Sequence, residues 1–129
     1  MCIFCSIVKG DIPNYTVYED EKVLAFFDVN PTSVGHTLVI PKAHYSSLLT
    51  CDPEDLTHVM KVAQKLGNQL KEKLGADGMN ILSNVGAAAG QSVEHFHVHL
   101  IPRYENDAEI IKFAGIEKPN FEELLEKIK

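Results

Sequence analysis

The chain has 129 residues, 45% of them hydrophobic and 23% charged, and a formal net charge of −6. That length suits one domain, residues 1–129, with a core of its own, and the acidic balance without a basic stripe excludes a binder of bulk nucleic acid, whose affinity comes mostly from phosphate neutralisation. No apolar run approaches the ~18 residues of a membrane span, no signal-peptide pattern opens the chain, and Cys2, Cys5 and Cys51 are an odd set, so a cytoplasmic protein without a disulfide framework is expected.

In chain order, residues 2–9 form a compact apolar stretch with room for a helical turn, and Gly10-Asp11-Ile12-Pro13-Asn14 turns the chain out of it. Val17-Tyr18-Glu19 reads as a short strand. A turn at Asp20-Glu21-Lys22 leads to an apolar strand over 23–27, closed by Asp28-Val29-Asn30-Pro31. Residues 37–41 follow as a more deeply buried strand, by their β-branched content. The clearest helix has Asp52 as N-cap, Pro53 in its first position, Asp55 in its first turn and Gly75 at its end. Its apolar face is predicted to be Leu56, Val59, Met60, Ala63, Leu66, Leu70 and Leu74. Residues 80–84 resume as a strand, and 86–90 form a small-residue loop. Residues 93–101 alternate strictly as a strand that Pro102 should stop. Asn120 caps a short C-terminal helix, with Glu123 three residues on. This order predicts an α+β fold in which one long helix covers an antiparallel sheet.

His95, His97 and His99 recur at a period of two, with Phe96, Val98 and Leu100 between them. On a strand this sends three imidazoles to one face and three apolar chains to the other, where the long helix can cover them. Three chemistries fit such a face: a solvated surface that happens to carry histidine, a three-histidine metal site, or catalysis on phosphorus by a neutral imidazole. Gly90-Gln91-Ser92 just upstream favours the last. A small residue, an amide and a hydroxyl are what a phosphate oxyanion needs where Lys and Arg are absent.

The block 90–101, Gly-Gln-Ser-Val-Glu-His-Phe-His-Val-His-Leu-Ile, resembles the histidine-triad (HIT) signature, His-φ-His-φ-His-φ-φ with φ apolar. Residues 35–44 resemble the second landmark of that family and 24–28 its ribose-side strand, so the likeness runs from about Cys2 to Arg103. It implies a HIT-like α+β fold with a five-stranded antiparallel sheet. It also implies a nucleotide hydrolase or transferase acting on AMP-type conjugates, with nucleoside 5′-phosphoramidate hydrolysis favoured over dinucleoside polyphosphate hydrolysis. A nucleotide-binding adaptor is the non-enzymatic alternative. Carried over by position, His97 would attack the α-phosphorus and form a nucleotidyl-histidine that water hydrolyses, His99 would bond the phosphate and His36 would support it. Ser92 and Gln91 would stand beside the phosphate and leaving group, with Asn84 also in contact. Asp28 would take the ribose hydroxyls, and Phe4, Ile7, Phe26 and Val29 would enclose a purine. The side-chain chemistry suits these roles, since a carboxylate accepts from vicinal hydroxyls and aromatic walls match a purine face. Without the resemblance, Asp28 before Asn30-Pro31 also fits turn chemistry, and Phe26 a core position.

Cys2-Ile3-Phe4-Cys5 is one Cys-x₂-Cys pair, by itself a weak sign of zinc, which takes four ligands in closed structural sites. In the HIT subgroup that carries the pair, the partners are the histidine of the Pro-Lys-x-His block and the first triad histidine, here His44 and His95. The resemblance thus implies a structural zinc on Cys2, Cys5, His44 and His95, no catalytic metal, and a homodimer formed through the long helix and a strand. The chain departs from animal Hint-type proteins in having no tryptophan and a Glu/Lys-rich end, and its 86–90 loop carries fewer polar groups, which leaves the leaving group open. His58, inside the long helix, is expected at the surface, and Cys51 has no assigned role.

Overall fold

The structure, a computed structural model, describes residues 2–129. Helix α1 (Ile3–Lys9) precedes strands β1 (Thr16–Glu19), β2 (Val23–Phe27) and β3 (Thr37–Pro41). The long helix α2 (Pro53–Leu74) follows, then β4 (Gly78–Leu82), β5 (Val98–Arg103) and the short helix α3 (Phe121–Ile128). All five strands form one sheet in the order β1-β2-β3-β5-β4, with every neighbouring pair antiparallel. The expected α+β architecture is therefore present, with the long helix against the sheet and the short one at the C-terminus. Among the described residues no helix is long and apolar enough to cross a membrane, and no disulfide joins the three cysteines.

Local signals set the limits of α2. Asp52 accepts the Glu54 N–H at 2.9 Å, Pro53 occupies the first turn, and Gly75 takes the left-handed conformation (φ 67°) that a side chain disfavours. The helix buries Val59, Val62, Ala63, Leu66, Gly67 and Leu70. Met60 and Leu74, predicted for that stripe, are each 40% exposed. Met60 falls on the flank of a 3.6-residue stripe centred on Leu66 and Leu70, while Val62 and Gly67 fall within reach of the sheet. Leu74 ends the helix beyond the covered area, with its side chain beside Gly35.

The sheet sorts its side chains by alternation. Val23, Ala25, Val39, Phe96, Val98 and Leu100 join the α2 stripe in the main core. Leu24, Phe26, Leu38 and Ile40 form a second cluster on the opposite face, where Phe4 of α1 covers them. The helices thus lie on opposite faces of the sheet, and the α1 face is where the odd-numbered residues of β5 point.

One strand differs from its expected limits in a way that matters for function. Residues 93–97 are outside the ladder, and β5 runs 98–103 with Pro102 inside it. The early residues find other partners: Phe96 N–H donates to the Tyr45 carbonyl at 2.7 Å, and the His97 carbonyl accepts from the Ser83 hydroxyl at 2.7 Å. Pro102 is tolerated because the β3 pairing ends at Leu100, so its missing N–H leaves no ladder bond unmade on that side. β4 is likewise displaced, to 78–82 rather than 80–84, because its partners are Arg103 to His99. Residues 110–120 have no regular structure, and α3 buries none of its side chains.

Candidate active site

The β5 alternation that puts Val98 and Leu100 in the main core puts His99 on the α1 face, and His97 enters the same space, with the two rings 4.9 Å apart. Hydrogen bonds then assign a tautomer to each imidazole. His97 Nδ1–H donates to the His95 carbonyl at 2.7 Å, which leaves Nε2 with its lone pair. Thr32 N–H donates to His36 Nδ1 at 3.0 Å, so His36 carries its proton on Nε2 and donates it to His99 Nδ1 at 2.9 Å. His99 must therefore hold its own proton on Nε2. One ring is left a base and the other a donor.

Electrostatics keep these rings neutral. Burial lowers the His97 pKa, against the pull of its bond to the His95 carbonyl and of Asp28. Burial also lowers His36, again opposed by Asp28, whose Oδ2 lies 3.6 Å from His36 Nε2. His99 is pushed down to about 4, by burial and then by the neighbouring His97 and His36. A neutral imidazole is the nucleophilic form, so these shifts favour attack at neutral pH.

The same shifts make a prediction about stability. The unfolded chain protonates histidine near pH 6.5, whereas folded His36 and His99 resist the proton to lower pH. Above 6.5 both states are neutral and these groups add no pH dependence. As pH falls from 6.5 towards 4 the unfolded chain binds more protons, so stability declines across that window and levels below it. Thermal unfolding followed through the window should show the slope, and His99→Gln should reduce it. Equal slopes in the two proteins would show that His99 is not its source.

The rings open on a cavity of about 440 Å³. Of the residues singled out from sequence, the structure brings Phe4, Ile7, Phe26, Val29, Asp28, Ser92, His97 and His99 to its walls. His36 stands behind His99. Gln91 is not in the lining: its amide donates to the Ser46 and Val93 carbonyls, and its oxygen accepts the Gly86 N–H. It ties the 86–91 loop to the body. Asn84 also lies outside the lining, with its amide 3.4 Å from the Gly90 carbonyl. The sequence reading missed Ile3, Ile12, Pro13, Asn14, Leu38 and Val93, along with Phe27 and Asn30, which complete the walls. Ile12-Pro13-Asn14 read only as a turn, and no local signal says what a turn will cover. Asp28 does keep a turn bond, accepting the Asn30 N–H at 2.9 Å, yet its carboxylate also lines the cavity.

The first triad histidine goes elsewhere. His95 is fully buried and joins Cys2, Cys5 and His44, the four donor atoms all lying within 4.8 Å of one another. Cys2 Sγ is 3.4 Å from His95 Nδ1, Cys5 Sγ is 3.3 Å from His44 Nδ1, and the two Nδ1 atoms are 3.2 Å apart. His95 Nε2–H donates to the Pro41 carbonyl at 2.8 Å, so its Nδ1 lone pair faces the thiols and His44. Two thiols and an unprotonated ring nitrogen converging on one point suit a metal ion. Asp28, His36 and His99 form a second close set, but their ring nitrogens already bond one another.

His58, expected as a plain surface residue, is partly exposed and bonds Asp20 at 2.7 Å. Burial alone would raise the Asp20 pKa. Bonds from the Lys22 and Val23 amides, His58 and Tyr18 outweigh it and hold the carboxylate well below its usual range. The network fastens α2 to the β1–β2 turn. Cys51 is buried in the main core.

Residues 9–106 match the HIT domain. An uncharacterized HIT-like protein of Methanocaldococcus jannaschii is 50% identical over 129 residues, covering 100% of this chain and 99% of that protein. The adenosine 5′-monophosphoramidase HNT1 of Saccharomyces cerevisiae is 37% identical over 95% of this chain and 75% of its own length. The crystal structure of a HIT family member from Bacillus subtilis superposes with a TM-score of 0.86 at 37% identity, over 98% of this chain and 94% of that one. With the domain matched over most of its length and a full-length relative at half identity, this chain belongs to the HIT family.

Proposed function

We propose that the protein hydrolyses AMP-type conjugates, favouring nucleoside 5′-phosphoramidates, through a nucleotidyl-histidine intermediate. The observation that carries this reading is the pair of assigned tautomers, with the His97 Nε2 lone pair and the His99 Nε2–H side by side at one cavity. The name of the yeast relative points to the same substrate class.

In this mechanism His97 Nε2 attacks the α-phosphorus, forming a P–N bond as the bond to the leaving amine breaks and the amine departs with a proton taken from solvent. Water then attacks the phosphorus, its oxygen passing to AMP and its surplus proton to solvent, as the P–N electron pair returns to His97. His99 Nε2–H bonds the non-bridging oxygen on which charge develops, and His36, held by the Thr32 amide, keeps that proton in place. Ser92 supplies a hydroxyl beside the phosphate and leaving group. Asp28 has acceptor sites left for the ribose hydroxyls after its bond to Asn30. Phe4, Ile7, Phe26 and Val29 enclose the base. Gln91 holds the loop that carries Ser92, and Asn84, whose amide meets the Gly90 carbonyl, steadies the same loop.

The test is a set of AMP conjugates with amine, lysyl and polyphosphate leaving groups, assayed side by side for AMP release. Fastest turnover of an amine conjugate supports the reading. Fastest turnover of the polyphosphate would assign the chain to dinucleoside polyphosphates instead, and no turnover of any would leave a nucleotide-binding adaptor.

Cys2, Cys5, His44 and His95 fit a structural zinc. Bonds of ~2.0–2.1 Å to nitrogen and ~2.3 Å to sulfur give tetrahedral edges of about 3.3 Å between nitrogens and about 3.6 Å between nitrogen and sulfur. The separations of 3.2, 3.3, 3.4 and 3.6 Å follow that pattern. Four protein ligands fill the coordination, so the ion supplies stability and takes no part in the chemistry. Metal analysis should find about one zinc per chain, lost in Cys5→Ser with a lower Tm. A metal-free protein of unchanged Tm would count against it. A homodimer is supported by the open edge of β4, where Ile81 is 51% exposed. Light scattering should give about twice the chain mass of 14.3 kDa; the mass of one chain would overturn it.

A further inference from the structure

We propose that the metal site and the nucleotide cavity are energetically coupled, each ligand tightening the other, and that Phe4 carries the coupling. The proposal rests on the reading of the cavity as a nucleotide site and of Cys2, Cys5, His44 and His95 as a zinc site.

Helix α1 takes part in both sites at once. Cys2 caps it and Cys5 lies in its first turn, while His44 and His95 come from the body of the fold. Phe4 lies between the two cysteines in sequence and faces inward, 6% exposed. Its ring meets His97 edge-on at 5.1 Å between centroids, His95 at 5.8 Å and Phe26 at 5.6 Å. It therefore touches a metal-site histidine and the reactive histidine together, and it lines the cavity beside Ile3 and Ile7.

A seven-residue helix has little stability of its own, so α1 depends on what it is fastened to. One fastening is the apolar cluster around Phe4, Leu24, Phe26, Leu38 and Ile40. The other is the junction of its two thiols with His44 and His95. An ion at that junction orders the wall against which the base packs, and a base packed on the wall holds the thiols in place for the ion. Two ligands that order the same element bind cooperatively, and the factor must be the same in both directions. His44 is exposed, so the ion can exchange with a chelator in solution without global unfolding. The junction also fixes His95, whose carbonyl sets the His97 tautomer.

The experiment uses the full-length, zinc-loaded protein with AMP as the probe. AMP affinity is measured by calorimetry before and after zinc is stripped. Zinc release to a chromophoric chelator is timed from the loaded protein with and without saturating AMP. Stripping should weaken AMP at least tenfold, and AMP should slow zinc release at least tenfold. In Phe4→Ala, checked for zinc content and AMP binding, both effects should shrink to threefold or less. The release measurement begins from the folded, loaded state, so it decides the matter even if the stripped protein loses structure. Release from wild type that AMP leaves unchanged would overturn the coupling while leaving the nucleotide reading intact. Coupling of full size in Phe4→Ala would overturn the role of Phe4. Failure of loaded wild type to bind AMP at all would overturn the nucleotide reading, and the coupling with it.

Discussion

Replacing His97 by alanine is expected to lower turnover of an AMP phosphoramidate by three or more orders of magnitude, at least ~4 kcal/mol of transition-state stabilisation. The expectation follows from the bond that fixes its tautomer. With Nδ1–H committed to the His95 carbonyl, Nε2 is the free lone pair, and burial lowers the pKa so that it stays unprotonated at neutral pH. Alanine removes the attacking atom, and no second nucleophile takes its place, because His99 presents a proton to the cavity. AMP binding should survive the change, since Asp28 keeps its bond to Asn30 and Phe4, though it loses its contact with His97, still packs on Phe26 and His95. Acid-labile, base-stable AMP label should appear on wild type during turnover and be missing from the variant. Retention of even a tenth of wild-type activity would rule out covalent catalysis by His97.

His99→Ala should act differently, on both affinity and rate. Its Nε2–H is the donor aimed at a phosphate oxygen, and loss of one such donor costs about 10²–10³ in kcat, or ~2.7–4 kcal/mol. AMP itself carries the phosphate, so its affinity should also fall, by about tenfold for one hydrogen bond to a charged group. The contrast between the variants is the diagnostic. His97→Ala should separate chemistry from binding, whereas His99→Ala should damage both. His36→Ala should resemble a weaker His99→Ala, because the His99 ring would remain while its proton was free to move to Nδ1. A His99→Ala protein with unchanged AMP affinity would place the phosphate elsewhere.

The residue pattern was enough to identify most of the scaffold, because those signals act over a few residues. Asp52, Pro53 and Gly75 end α2 where their own backbone preferences say it must end. The Asn120 cap likewise receives the Glu123 N–H as expected. The alternation of Phe96, Val98 and Leu100 against His97 and His99 also survived, since the two-residue period of extended chain is local.

Tertiary structure decided whatever depended on a distant partner. Alternation alone put His95 with His97 and His99, but a strand persists only while another strand pairs with it. Residues 93–97 bond Tyr45 and Ser83 instead, and His95 turns to the cysteines. Gln91 has the right chemistry for a phosphate, yet backbone groups at Gly86, Ser46 and Val93 take its amide first. Met60 and Val62 are both apolar, and the position of the sheet selects which of them is buried. The chain of bonds from Thr32 through His36 to His99 includes one, between the two rings, that spans 63 positions. A side chain's chemistry is written in its own residue, whereas the atom that fixes its tautomer, pKa or burial arrives from elsewhere in the chain when the sheet closes.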